Sequence, residues 1–229
     1  MKNGIFQVKE KLHICQSENG YRYSLDPFLL ADFTSASKGD RIIDLGAGNG
    51  ILSLLLSRKF KRSGILGLEI QDSLVEIARQ NVLTNRLEHR IEIIKGDIKD
   101  VYLLFKEGSF DITVSNPPYR KIESGRISPN PERAIARHEI AITLLELLRG
   151  CGYLLRNLGR AFFIYHPSRL KELLQGMKRS GINPCCIRFI HSKAWGEAKM
   201  VLAEGIKNGK EELIIMDPLI ISRSTHISQ

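Results

Sequence analysis

From Arg41 onward, short apolar runs of strand length alternate with longer segments whose apolar residues fall three and four apart. No other feature of the sequence constrains the fold as much. RIIDLG (41–46) is a strand-like run ending in glycine. GILSLLLSRKF (50–60) has helical spacing and a basic last turn. GILGLEI (64–70) is strand-like again, and DSLVEIARQNVLTN (72–85) begins on an aspartate suited to capping a helix. IEIIKGD (91–97), FDITVSN (110–116) and GRAFFIYHP (159–167) read as further strands. AIARHEIAITLLELLRGCGYLL (134–155) contains a helix, and SRLKELLQGMKRSG (168–181) is a basic one. Such alternation predicts an α/β fold, a parallel sheet with helices on both faces. CCIRFIHS (185–192) and KMVLAEGIK (199–207) lie too close for a crossover, so they predict a hairpin and one antiparallel strand. Ahead of this body, VKEKLHICQSENGYRYSL (8–25) reads as two short strands around Asn19-Gly20, a turn signal. The expected organisation is an N-terminal hairpin segment over 1–38 and one α/β domain over 39–229.

Composition narrows the setting. The chain is 43% hydrophobic and 26% charged, ordinary globular values. No apolar run reaches about 18 residues, so no membrane partner is expected. The start, MKNGIFQVKE, lacks the apolar core of a signal peptide, and the expected location is cytoplasmic. Cys15, Cys151, Cys185 and Cys186 have no metal-ligand spacing and read as reduced thiols; no metal is expected. The net charge of +9 is unevenly spread. Residues 40–119 hold 11 Lys/Arg and 11 Asp/Glu, whereas 156–210 hold 11 and 3. An excess confined to the C-terminal third points to an anionic macromolecular partner. No interface signature is legible, which leaves the oligomeric state open.

The first core strand runs into Asp44-Leu45-Gly46-Ala47-Gly48-Asn49-Gly50, which opens a helix. Glycines there permit a tight turn and let a ligand approach the helix N-terminus. The spacing is GxGxG, with Ile51 where a dinucleotide fingerprint has its third glycine, which counts against NAD or FAD. Glu69 ends the second strand, where a carboxylate can accept both hydroxyls of a ribose. Asp97 ends the third, where it can accept from an adenine amine. Either acid taken singly can equally be a cap or a solvated side chain. Together with Asp44 they mark the carboxyl ends of successive strands, the ligand-binding edge of open parallel sheets. The set predicts an adenosine-containing ligand with a polar tail.

These residues resemble the class I S-adenosylmethionine-dependent methyltransferases over roughly 40–207. The resemblance implies a Rossmann-like seven-stranded sheet with its last strand antiparallel, and S-adenosyl-L-methionine as cofactor. Asp44, Gly46, Gly48, Asn49 and Gly50 would hold the methionine part, Glu69 the ribose and Asp97 the adenine side.

Asn116-Pro117-Pro118-Tyr119 ends the fourth strand, beside that donor. An amine on an aromatic ring or a carbonyl has a delocalised lone pair. Methylating it needs no strong base, only acceptors that hold the two N–H bonds so that the lone pair faces the donor methyl. The Asn116 side-chain oxygen and the Pro117 carbonyl can do this, and their dipoles oppose the positive charge that develops on nitrogen. The resemblance also implies that Asn116 is a cofactor contact. The prolines preorganise the acceptors. Pro118 and Tyr119 give a planar base a surface, the ring worth ~1–3 kcal/mol of stacking. The motif resembles that of amino methyltransferases acting on adenine, cytosine or glutamine amides.

RKIESGRISPNPERAIAR (120–137) carries five basic and two acidic residues and reads as a basic lid, with Arg120, Lys121, Arg126 and Arg137 as candidate substrate contacts. YSLDPFLLADF (23–33), DLGAGNG, NPPY, ARHE (136–139) and WGEAKMVLAEGIKNGK (195–210) recur in an order similar to the bacterial tRNA(Val) adenine-37 N6-methyltransferases. That resemblance, over about 5–222, implies transfer to the exocyclic N6 of an adenine next to the anticodon, with tRNA as partner. It also implies that Tyr23 and Asp26 help close the donor pocket. The chain departs from the family pattern in having Arg120-Lys121 directly after NPPY. Release-factor glutamine methyltransferases share NPPY but carry a helical N-terminal domain, whereas only about 38 residues precede the pocket here. DNA adenine methyltransferases need a target-recognition segment for which there is little room. A non-catalytic binding module would not need all three motifs intact.

Overall fold

The computed structural model describes residues 3–8, 12–17, 25–117 and 142–221. Strands β1 (Asn3–Val8) and β2 (Leu12–Ser17) form an antiparallel hairpin. Helix α1 (Asp26–Phe33) leads to the main alternation: β3 (Arg41–Leu45), α2 (Ile51–Lys59), β4 (Gly64–Glu69), α3 (Asp72–Thr84) and β5 (Ile91–Lys95). A single turn, α4 (Val101–Leu104), precedes β6 (Phe110–Ser115). Then come α5 (Leu144–Leu154), β7 (Leu155–Tyr165), α6 (Leu170–Arg179), β8 (Ile182–His191), β9 (Ala198–Lys207) and β10 (Ile214–Ile220).

The main sheet has the order β10-β8-β9-β7-β6-β3-β4-β5. All its pairings are parallel except those of β9, which runs antiparallel to both β7 and β8. The expected doubly wound sheet with an antiparallel strand is present. The sheet, however, has eight strands rather than seven. The eighth, β10, contains Pro218, a residue that cannot donate to a ladder and is rare inside strands. β10 lies at the edge and its register with β8 slips between Met216 and Leu219, so the Asp217-Pro218 pair sits in an irregularity that spares the ladder.

Two further expectations shift. The N-terminal hairpin pairs 3–8 with 12–17, one strand earlier than a turn at Asn19-Gly20 requires, and residues 18–24 lie outside the described residues. Asp72 does not cap α3. Gln71 holds the cap position without a side-chain bond, and Asp72 pairs with Lys95 at 2.6 Å instead.

Alternation along the strands sends neighbours to opposite faces. Ile42 and Phe162 pack with α1, α2, α3 and the hairpin residues Leu12 and Ile14. Ile43 and Phe163 pack with α5 and α6. α3 holds the hairpin by more than apolar contact. Asn81 and Asn85 lie one turn apart and each bonds both backbone groups of a β2 residue. The Asn81 amide serves Cys15 N (2.6 Å) and O (3.1 Å), and the Asn85 amide serves His13 N (3.0 Å) and O (2.7 Å). Among the described residues no helix is long and apolar enough to cross a membrane.

Candidate active site

Because β3, β4, β5 and β6 are parallel neighbours, their carboxyl ends form one rim. A cavity opens there, lined by Asp44, the Gly46–Asn49 turn, Glu69, Asp97, Asn116 and Pro117. The structure thus brings together the residues chosen from four separate segments.

The glycine turn is built around positive φ. Gly46, Gly48 and Gly50 have φ of 78°, 57° and 80°, the left-handed region that other residues enter at a cost. A Cβ on Gly50 would also stand 3.2 Å from that of Ala78 on α3. The turn closes on an anion: Gly48 N donates to Glu69 Oε2 at 2.9 Å, while Ile70 N and Gln71 N donate to Glu69 Oε1 at 3.0 and 2.9 Å. Glu69 is almost fully buried. Desolvation raises its carboxyl above the usual range despite these donors.

Asp44 is buried, and its Oδ2 accepts from Ser53 Oγ at 2.8 Å. Loss of hydration pushes its carboxyl up to about 7; the Glu69 charge adds to this and the Ser53 hydroxyl opposes it. Asn49 is buried too. Its Oδ1 meets Ile51 N at 3.4 Å, and its Nδ2 has no partner among the described residues. The wall therefore presents two carboxylates with raised affinity for protons and one unanswered amide donor, a lining suited to a ligand that carries both a cation and an acceptor.

Asp97 combines two roles. It lines the cavity and caps the short turn before α4 through Lys99 N (2.9 Å). Asn116 is half-buried and Pro117 buried, directly after β6. Ser115 Oγ donates to Leu45 O at 2.7 Å and ties the end of β6 to the end of β3, which fixes Asn116 relative to the glycine turn. Asp26 is buried at the start of α1, where its neighbour Pro27 lines the cavity. Tyr23, Pro118, Tyr119, Arg120, Lys121, Arg126 and Arg137 lie outside the described residues.

Sequence reading missed Ser53, Gln71, Ser115 and Asn81. Asn81 Nδ2 also donates to Asn49 O at 2.9 Å, so one buried amide joins hairpin, α3 and glycine turn. No local pattern announces any of these contacts; each depends on elements that meet only in the folded sheet. Among the described residues no group of His, Cys, Asp and Glu is arranged to hold a metal.

The basic C-terminal third is less free than its charge implies. Arg156 pairs with Asp111, Arg160 with Glu204, Arg169 with Glu172, Lys178 with Glu211 and Lys207 with Glu107. Lys171, Lys193 and Lys199 make no ion pair among the described residues and flank the carboxyl ends of β7 and β8, on the cavity's edge of the sheet.

A family model described as Methyltransferase small domain matches residues 26–129. The tRNA1(Val) (adenine(37)-N6)-methyltransferase of Porphyromonas gingivalis is 34% identical over 179 residues, 76% of this chain and 69% of that one. The protein of the same name from Phocaeicola vulgatus is 29% identical over 228 residues, 99% of this chain and 93% of its own. Among solved structures, a predicted O-methyltransferase from Agrobacterium tumefaciens matches with a TM-score of 0.72 at 21% identity, covering 88% of this chain and 90% of that one. Geranyl diphosphate C-methyltransferase from Streptomyces coelicolor, solved with S-adenosyl-L-homocysteine, matches at 0.58 and 13%, covering 79% and 78%. At such identities the structural likeness concerns the fold.

Proposed function

We propose that this chain, which belongs to the family of tRNA1(Val) (adenine(37)-N6)-methyltransferases, transfers a methyl group from S-adenosyl-L-methionine to the exocyclic amine of an adenine in RNA, in a tRNA next to the anticodon. The observation that carries the reading is that Asn116 and Pro117 line the same cavity as the glycine turn, Glu69 and Asp97. An amine-aligning pair and an adenosine-type pocket therefore share one wall.

The residues present fit this cofactor. Its ammonium, carboxylate and ribose hydroxyls call for acceptors, a donor and an acceptor, and the cavity offers buried Asp44, the unpartnered Asn49 amide and Glu69. When bound, the cofactor supplies an electrophilic methyl on a sulfonium. Asp44 and Glu69 carry negative charge toward a cationic ligand. Asn116 Oδ1 and the Pro117 carbonyl accept the two N–H bonds of the target amine and turn its lone pair toward the methyl. Their dipoles stabilise the positive charge that grows on nitrogen, so no separate base is required at the moment of transfer. Tyr119 and Pro118 give the base a face, and the adenine reaches them flipped out of its stack. Lys and Arg of 120–137 serve phosphates. The expected location is the cytosol, where tRNA is found.

The test incubates purified protein and tritiated S-adenosyl-L-methionine with unmodified bulk tRNA, ribosomal RNA, duplex DNA and peptide-release factor. Label recovered from tRNA as N6-methyladenosine is the expected result. Label in the release factor alone would move the target to a glutamine amide and overturn the reading.

A further inference from the structure

The chain contains one tryptophan, and it is 95% exposed. Tryptophan is strongly buried on average, so an indole held in water is a surface waiting for a partner. Trp195 sits in the 192–197 connection between β8 and β9. The connection is pinned, because His191 Nδ1 donates to Gly196 O at 2.8 Å. Lys193 and Lys199 flank the ring in sequence, both exposed and without an ion pair among the described residues, against the single acid Glu197.

Its place in the sheet gives this exposure meaning. β9 is antiparallel to β7 and β8, so β8 points the same way as β6 and β7. The tip of the β8–β9 hairpin therefore stands on the carboxyl edge, the edge that carries Asn116. The order β6-β7-β9-β8 puts two to three strand spacings between them, about 10–14 Å along the edge. A few nucleotides of single strand cover that distance.

Resting on the function proposed above, we propose that Trp195 is a stacking platform for an unpaired base of the RNA substrate, a neighbour of the base being methylated, with Lys193 and Lys199 on the adjoining phosphates. Flipping one base out of an anticodon loop unstacks its neighbours, and an aromatic face offers them a substitute stack. The flanking positive charge favours a polyanion over an apolar protein surface. The platform holds the loop at a second point outside the cavity and selects substrates with unpaired residues beside the target.

Because Trp195 is the sole tryptophan, its fluorescence reads this site alone. Unmodified tRNA(Val) transcript and its anticodon stem-loop should quench it, and a fully paired RNA duplex should not. Trp195→Ala should weaken transcript affinity and raise KM about tenfold or more, while Trp195→Phe stays within about threefold. S-adenosyl-L-methionine affinity and melting temperature should not move, since the ring makes no buried contact. Unchanged fluorescence at saturating transcript, with the wild type still methylating it, overturns the platform and leaves the function standing. A wild type that methylates no RNA removes both. Sedimentation in which wild type is a dimer and Trp195→Ala a monomer also overturns it, by assigning the ring to a second copy.

Discussion

Asp44 carries a proton at a pH where most aspartates have long lost theirs. Its buried carboxyl titrates at about 7, against 3.8 for the ordinary group, because desolvation outweighs the Ser53 hydrogen bond. Between those values the folded protein holds a proton that the unfolded chain has released. Stability in the ligand-free state therefore falls as pH rises from about 4 to about 7, and the cost, on the order of a few kcal/mol, is complete above that. Asp44→Asn should flatten this fall in melting temperature, and an unchanged pH profile would remove Asp44 as its cause. The same proton must leave before the carboxylate can face a cation, so affinity for S-adenosyl-L-methionine should rise with pH toward about 7 in the wild type only. Asn116 makes the opposite kind of prediction. It is half-buried, so Asn116→Ala should leave folding and donor affinity within a few-fold. Turnover should drop by about 100-fold or more, the scale of losing one preorganised partner for developing charge. Single-turnover kinetics at saturating donor check this, and wild-type turnover in the variant would refute the alignment mechanism.

At the scale of elements, α3 acts as a clamp between the hairpin and the cofactor turn. Asn81 satisfies Cys15 N, Cys15 O and Asn49 O from a fully buried position. Asn81→Ala leaves these groups without partners in a place water does not reach, and should cost about 2–3 kcal/mol. Asn85→Ala removes the matching pair of bonds to His13, where solvent can substitute, and should cost under about 1 kcal/mol. Denaturant titrations give the two values. Thiol labelling reads the mechanism, because Cys15 is 1% exposed and should react faster only in Asn81→Ala. Equal losses in the two variants would show that burial is not the deciding factor. That a strand lies within 8–25 was legible, and Leu12–Ser17 is one. Its pairing partner was not, since Asn19-Gly20 is a strong local turn signal and the competing pairing is decided by which strand buries Leu12 and Ile14 against α3.

For the whole molecule, the +9 charge matters less than where its unpaired part lies. Arg156 and Lys207 point their charge at acids on the far edge of the sheet, whereas Lys171, Lys193 and Lys199 flank the cavity edge. Removing a side chain that neutralises one phosphate should reduce the salt slope of RNA affinity by about 0.7–0.9. Lys171→Ala and Lys199→Ala should each do so, while Lys207→Ala should not; filter binding over a salt series decides. If all three reduce the slope alike, RNA affinity depends on net charge rather than on an oriented face.

Local pattern alone determined the parallel sheet, the glycine turn and the four strand ends that carry Asp44, Glu69, Asp97 and Asn116, because strand periodicity and turn chemistry act over a few residues and parallel pairing brings successive carboxyl ends to one rim. Only the tertiary structure decided that β10 joins the sheet, that Ser53 and Asn81 serve the site, that Arg156, Arg160, Arg169, Lys178 and Lys207 are paired with acids, and that Trp195 faces the same edge as Asn116. Each of those follows from contacts between residues far apart in the chain, which burial selects after the sheet has formed and which no window of sequence contains.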